Sequence, residues 1–107
     1  MTAKDKALMK RTKENLILQH NEDDSLLLGH ISAAVSYAET YQHRRSGHYQ
    51  KGKMSPTTEQ GVIMLASHFY ESRDGSTGGF FGDSTHASAN VWQTVNRLLA
   101  LDREVKL

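Results

Sequence analysis

The alternation of apolar and polar residues follows a helical period over most of the chain and is clearest between Ser55 and Gly75. Ser55 suits a helix N-cap, Pro56 suits the first helical position, and Asp74-Gly75 supplies a stop signal. At about 100° per residue, the apolar residues of this segment fall on one wide arc of the helix. They are Val62, Ile63, Leu65, Ala66, Phe69 and Tyr70. Because one helix contact needs a narrower stripe, the pattern predicts a central helix packed against two neighbours.

A second amphipathic segment is predicted from Asp23 to His43, after acidic residues that suit a helix N-terminus. The arc expected to face the central helix contains Leu27, Ile31, Ala34, Val35, Ala38 and Tyr41. A second apolar strip beside His30 contains Leu26, Ala33 and Tyr37. We interpret this strip, with His30, as a candidate subunit interface; the alternative is that the first or last helix of the same chain covers it. Gly29 is unfavourable inside a helix and indicates close packing against another backbone.

Two further segments complete the predicted fold. Residues from Lys4 to about Leu18 are rich in helix formers, with a break expected near Thr12, and another amphipathic helix begins near Ser88. The fold class is therefore all-α, a small bundle of about four helices with a long glycine-rich loop before the last helix. We expect one domain over residues 1–107, with an N-terminal arm at about residues 1–12 and a charged C-terminal tail at about residues 102–107.

Composition narrows the possible functions. The chain has 107 residues and no cysteine, which excludes disulfides and thiolate metal sites and favours a reducing, cytoplasmic origin. Thirteen Lys and Arg against 12 Asp and Glu give a net charge of only +1, which does not favour a dedicated nucleic-acid binder. The sequence contains neither a run of about 18 apolar residues nor a signal peptide, so no membrane association is expected.

A basic segment between the second and the central helix, RRSGHYQKGKM, is predicted to be a loop or a short hairpin. Basic residues interleaved with an aromatic ring can bind phosphate and stack on a base. The candidate DNA contacts are Arg44, Arg45, Lys51 and Lys53, with Tyr49 as the aromatic residue. The alternative is a solvated connecting loop.

Two segments are candidates for docking to a partner protein. Phe80 and Phe81 lie within the glycine-rich loop GSTGGFFGDSTHASAN, and long loops of this kind are usually functional or disordered. Val105 and Leu107 alternate with charged residues in the C-terminal tail. Phe80 and Phe81 either anchor the loop on the chain's own core or insert into a partner. The tail either frays in a monomer or docks onto another protein.

No catalytic or metal site can be derived from the residue pattern. The six histidines include no pair at the i, i+4 spacing that places two imidazoles on one helical face. The glycine-rich loop matches neither the P-loop nor the dinucleotide-binding fingerprint, and no Ser, His and Asp arrangement can be read from the order of residues. We therefore expect no cofactor, no metal and no enzyme activity.

The order of the segments carries a family resemblance. The run DDSLLLGHISAAVSYAETYQ, the string MLASHFYESRD and the later amphipathic VWQTVNRLL together resemble the head-tail connector proteins of tailed bacteriophages and prophages, over about Lys13 to Leu99. The string with His68, Tyr70 and Glu71 is the most specific part. The long loop before the last helix departs from the family, whose members often have a compact turn there.

The resemblance implies a structural virion protein without enzyme activity. It implies a homo-oligomeric ring of about a dozen subunits that sits between the portal protein and a stopper or tail-completion protein, with double-stranded DNA passing through its lumen. The localisation implied is the head-tail interface of the virion, after assembly in the host cytoplasm. The alternative function is a small helical DNA-binding or packaging-accessory protein, based on the basic loop and the basic N-terminus.

Overall fold

The protein is all-helical in a computed structural model that describes residues 2–72 and 82–103. Four long helices and one single-turn helix follow one another in this part of the chain: α1 Ala3–Leu16, α2 Asp24–Tyr41, α3 His48–Lys51, α4 Pro56–Ser72 and α5 Gly82–Ala100. The predicted fold class, a small bundle of about four helices, is confirmed.

Helix α4 is the centre of the bundle, as its wide apolar arc predicts. It packs against α1, α2 and α5, so it has three helical neighbours rather than the two expected. The reason is that its buried surface extends beyond the apolar arc to Thr58, Gly61 and Ser67. The core that α4 shares with its neighbours includes Leu8, Met9, Leu27, Ile31, Ala34, Ala38, Val62, Leu65, Val95 and Leu99.

The predicted start of α4 is confirmed by its cap. The Ser55 hydroxyl accepts a hydrogen bond from the backbone N–H of Thr58 at 3.2 Å, and Pro56 occupies the first helical position. The predicted stop at Asp74-Gly75 lies outside the described residues. Helix α5 begins at Gly82, earlier than the expected start near Ser88.

Helix α1 begins with a capping box in which Thr2 and Asp5 exchange side-chain to backbone hydrogen bonds. The expected break near Thr12 is wrong. Thr12 is fully buried, and its hydroxyl donates to the carbonyl of Leu8 at 2.7 Å, so the polar side chain is satisfied within an unbroken helix. Most of the residues expected to form an N-terminal arm lie in this helix, and Leu8 and Met9 enter the core.

Two helical glycines have opposite environments. The close packing predicted at Gly29 does not occur within the described part of the chain, because a Cβ built there would have nothing from another element within 4 Å. A Cβ at Gly61 would lie 3.2 Å from Leu99 Cδ2, so the close approach of helices occurs between α4 and α5. The absence of a side chain at Gly61 therefore brings α5 against the central helix.

Candidate functional site

The candidate interface strip lies along α2, and the structure divides it. Leu26 is 43% exposed and Ala33 is also exposed, whereas His30 and Tyr37 are half-buried. The Tyr37 hydroxyl donates to Asn96 Oδ1 at 2.7 Å, and its ring lies edge-on to Trp92 with centroids 5.2 Å apart. The last helix therefore covers the Tyr37 end, as the alternative interpretation expected, and leaves Leu26 and Ala33 at the surface.

The outer face of α2 contains no charged residue between Asp24 and Glu39, and Glu39 is itself buried. Its exposed residues over this interval are Ser25, Leu26, Gly29, Ser32, Ala33 and Ser36. Solvated faces of helices usually carry charged side chains, and charged residues are depleted at the cores of protein interfaces. This neutral, small-residue surface, called here the outer face of α2, has the composition of a contact surface.

His30 lies between the strip and the central helix. Its ring centroid is 6.2 Å from that of Phe69 and 6.4 Å from that of Tyr70. The Tyr70 hydroxyl in turn donates to an Asp23 carboxylate oxygen at the start of α2. The residues that carry the family resemblance in α4 thus join α4 to α2 through packing and hydrogen bonding.

The basic segment contains the single-turn helix α3 rather than a hairpin. Arg45, Lys51 and Lys53 are exposed, but Arg44 is half-buried and its Nη2 donates to the Asp102 carbonyl oxygen at 3.1 Å. Tyr49 is only 7% exposed, and its hydroxyl donates to Gln42 Oε1. The ring of Tyr49 is therefore not available to stack on a base, and three of the four candidate cations lie at the surface.

A lysine of α1 holds this basic segment against the bundle. Lys4 Nζ donates to the backbone carbonyl oxygens of Tyr49, Gln50 and Gly52 at 3.3, 3.1 and 2.6 Å. Carbonyls at the end of a helix lack partners within the helix and carry partial negative charge, so a cation there is favourable. The contact ties the N-terminal turn of α1 to α3.

A buried polar network joins α2, α3, α4 and the end of α5. Gln42 is fully buried, and its Nε2 donates to Thr58 Oγ1 at 2.8 Å and to the carbonyl of Leu99 at 3.0 Å. The Thr58 hydroxyl donates to Asp102 Oδ2 at 2.6 Å. Residues from distant parts of the chain thus satisfy each other in the interior, which rigidifies this end of the bundle.

Asp102, just after α5, contacts the side chains at the start of α4. Its carboxylate accepts hydrogen bonds from the hydroxyls of Ser55, Thr58 and Thr57. Hydrogen bonds from Ser55 and Thr58, and more weakly from Thr57, lower the pKa of Asp102 below its ordinary value; the nearby Arg44 charge adds to this, and partial burial opposes it. Asp102, expected to begin a charged tail, thus contacts the bundle, as does Arg103, whose Nε donates to His43 Nε2 at 3.1 Å.

The sequence pattern did not single out Ile17, Gln42 or Asp102. Ile17 is 80% exposed and has a positive φ of 59° at the end of α1. The apolar run Leu16-Ile17-Leu18 at a helix end without a following glycine is the signal that marks this position. Gln42 and Asp102 gave no signal, because their partners are distant in sequence.

The remaining predicted docking residues, Phe80, Phe81, Val105 and Leu107, lie outside the described residues. Within residues 2–72 and 82–103, no cluster of three or more potential metal ligands is found. Among the helices that the structure describes, none has the length and apolar content required to cross a bilayer.

Comparison with protein families gives a match over most of the chain. A family described as phage gp6-like head-tail connector protein matches residues 6–103, which is nearly the whole chain. No curated protein matches the chain significantly, and no solved structure does so either.

Proposed function

The chain belongs to the gp6-like head-tail connector family of bacteriophages, and on that premise we propose that it forms a ring joining the portal of the phage head to a stopper or tail-completion protein. Family membership gives it a structural connector role in the virion. The proposed ring contains about a dozen copies related by rotation. Assembly takes place in the host cytoplasm, and double-stranded DNA passes through the lumen.

The outer face of α2 is the observation that supports a ring most directly. Leu26 and Ala33 are exposed on a helix face without charged residues. A ring of identical subunits is built from head-to-tail contacts, so each copy needs two different interface surfaces. We propose that Leu26 and Ala33, with the edge of His30 and Tyr37, form one of them.

The charge distribution is compatible with a DNA conduit. Arg45, Lys51 and Lys53 are exposed on the segment around α3, and the net charge of the chain is only +1. Phosphate contacts add up around a ring, and many of them would hold DNA tightly instead of letting it pass. We propose that these three side chains face the lumen and that Arg44 stabilises the fold.

Phe80, Phe81, Val105 and Leu107 are proposed contacts to the portal or stopper.

Imaging with the purified portal tests this proposal. Wild-type protein is mixed with portal rings, and negative-stain images are classified for an added ring of density. An Ala33→Lys variant should bind the portal without completing the ring, because it places a charge on the neutral face. An Ala100→Lys variant, at an exposed position at the end of α5, is the matched control and should behave as wild type. A wild-type protein that neither binds the portal nor self-associates would contradict the proposal.

A DNA-binding or packaging-accessory role is the second candidate function, favoured by the three exposed cations around α3. Titration of a duplex at increasing salt concentration separates the two functions. A DNA binder has measurable affinity at low salt that falls steeply as salt is raised. The conduit proposal expects little affinity for free duplex at any salt concentration.

A further inference from the structure

The side of α4 that faces away from α2 forms the floor of an open groove. Helices α1 and α5 both pack against α4, and the groove between them consists of two adjoining hollows of about 270 and 290 Å³. Asn15 of α1 and Gln60 of α4 line both hollows, and Val91 of α5 lines the second one. The groove therefore runs along α4, with α1 as one wall and α5 as the other.

This groove and the outer face of α2 point in opposite directions. On α4, the Thr58 hydroxyl accepts a hydrogen bond from Gln42 of α2 at 2.8 Å. The Phe69 ring lies 6.2 Å from that of His30 of α2, so Thr58 and Phe69 mark the side of α4 that faces α2. At about 100° per residue, the groove positions lie about half a turn from that side. The outer face of α2 is likewise about half a turn from the residues that α2 buries in the core.

Each of these two surfaces contains a seam of four residues with the same spacing, four, three and four residues apart. The seam on the outer face of α2 consists of small exposed residues, Ser25, Gly29, Ser32 and Ser36. The seam on the floor of the groove consists mostly of larger residues, Gln60, Met64, Ser67 and Glu71. Each seam is about 16 Å long at 1.5 Å per residue. This spacing, on average 3.5 residues, is the one with which two helices pack side by side.

The two seams are also complementary in size and in chemistry. A Cβ built at Gly29 would have nothing from another described element within 4 Å, so the α2 seam has room for a side chain such as Met64. The serine hydroxyls of the α2 seam can donate hydrogen bonds to the Glu71 carboxylate and the Gln60 amide oxygen. The α2 seam has no charge that would have to leave water on contact.

We propose that the outer face of α2 of one copy packs into the α4 groove of the next copy. A second copy is the favoured occupant because a seam of matching length, spacing and size lies on the opposite side of the same molecule. Each bound copy still presents one free outer face and one free groove, so the contact repeats. Such a head-to-tail contact closes into a ring when the rotation between copies permits it. The inference rests on the proposed ring and names the second contact surface that it needs.

Two variants with opposite defects test the contact. Gly29→Trp blocks the outer face of α2, and its monomer should melt at an equal or higher temperature, because tryptophan favours a helix more than glycine does. Gln60→Trp fills the groove from a half-buried position. Each variant alone should self-associate about tenfold or more weakly than wild type, measured by sedimentation velocity over a concentration series. Gln50→Trp, at an exposed position on α3, is the matched control and should associate as wild type does.

A mixture of the two variants restores one contact only. Gly29→Trp keeps its groove and Gln60→Trp keeps its outer face, so the mixture should form one-to-one heterodimers and nothing larger. Unchanged association of either variant alone, or a mixture that forms no heterodimer, would overturn the contact.

Introduced cysteines test the same contact without adding bulk, since the chain has no cysteine of its own. Met64→Cys is mixed with Gly29→Cys, the position opposite it if the two helices are parallel, or with Ser32→Cys, the position opposite it if they are antiparallel. One of the two mixtures should form a disulfide-linked heterodimer under mild oxidation, because a disulfide requires the two Cβ atoms to lie about 4 Å apart. A size tag on one copy identifies the heterodimer on a non-reducing gel. No heterodimer in either mixture, or an equal amount with Gln50→Cys, would contradict the contact.

The steric variants on the purified portal separate this contact from the ring itself. If wild type forms rings on the portal and Gln60→Trp does so equally well, the groove contact fails while the proposed function stands. If wild type associates neither in solution nor on the portal, the ring fails and the groove contact fails with it.

Discussion

The two faces of α2 differ in whether other helices of the chain cover them. On the inner face, Leu27, Ile31, Ala34 and Ala38 are at most 1% exposed and pack into the core shared with α4. The outer face has Leu26 and Ala33 at the surface and no charged residue between Asp24 and Glu39. The chain itself thus covers the inner face of α2. The outer face also lacks charged residues, but the described part of the chain does not cover it.

Folding and the proposed assembly thus place separate demands on the same helix. Substitutions on the inner face should change the free energy of unfolding, because they remove packing that is already present in the monomer. Substitutions on the outer face should change the stability of the monomer little, apart from the effect of helix propensity, and affect association instead.

Replacing Ile31 by Ala should have the largest effect. Ile31 is 1% exposed at the α2–α4 contact, so truncation leaves a cavity and should lower the free energy of unfolding by about 3 kcal/mol. Denaturant unfolding followed by circular dichroism measures the loss. Leu26→Ala is the matched control on the outer face and should lose less than about 1 kcal/mol. Equal losses in the two variants would contradict the division between the faces.

Replacing Gln42 by Leu tests the polar end of the inner face. The variant removes the Gln42 donor to the Leu99 carbonyl and the Gln42 acceptor of the Tyr49 hydroxyl. Loss of these hydrogen bonds between buried groups should lower the free energy of unfolding by about 2 kcal/mol. Gln50→Leu, at an exposed position on α3, is the control. A Gln42 variant as stable as wild type would show that the network does not stabilise this end.

Replacing Asp102 by Asn should lower stability by about 1 kcal/mol at neutral pH, because the carboxylate accepts stronger hydrogen bonds than an amide oxygen. The pKa of Asp102 is lowered in the folded state, so its contribution is present above the ordinary pKa of aspartate and is lost as the pH falls through the lower folded value. The stability difference between wild type and variant should therefore shrink below about pH 4. Melting temperatures of both proteins across this range measure it; a constant difference would contradict the assignment.

Replacing each of two helical glycines, Gly29 and Gly61, by alanine should change the free energy of unfolding in opposite directions. Gly29→Ala on the outer face should raise the free energy of unfolding by about 1 kcal/mol, because alanine favours the helix and nothing described lies within 4 Å. Gly61→Ala on α4 should lower it, since the new Cβ would lie 3.2 Å from Leu99 Cδ2. Thermal melting distinguishes the two. If Gly29→Ala also weakens ring formation on the portal, the outer face packs closely against a second copy.

The smallest effect on the monomer is expected for Ala33→Lys. Ala33 is exposed, so the variant should stay within about 0.5 kcal/mol of the wild-type free energy of unfolding. Its effect should appear only in association, measured by mass photometry or portal imaging. A variant that unfolds readily would place Ala33 in the fold rather than in an interface.

The amino-acid pattern predicted the parts of the fold that depend on local periodicity. The inner arc of α2, the core of α4 and the Ser55 cap follow from the helical repeat and from the chemistry of a helix start, and the structure agrees with each. The string containing His68 and Tyr70 also led to the family. These features are readable because the residues that produce them are near neighbours along the chain.

The candidate surfaces were predicted only in part. The spacing placed Leu26, Ala33 and Tyr37 on one strip, but only the packing of α5 decides that Tyr37 is covered and the other two are exposed. The spacing also placed Tyr49 among the basic residues, while its burial follows from hydrogen bonds to Glu39 and Gln42.

The features that join distant segments depend on how the helices pack together. Gln42, Thr58 and Asp102 are polar residues whose sequence neighbours give no sign that they meet inside the bundle. Gly61, rather than Gly29, lies at a close helix contact because α5 crosses α4 there. A periodic pattern tells which side of a helix is buried, since that depends on 3.6 residues per turn. Which partner lies opposite each buried position depends on how the helices pack, and that is a property of the whole chain.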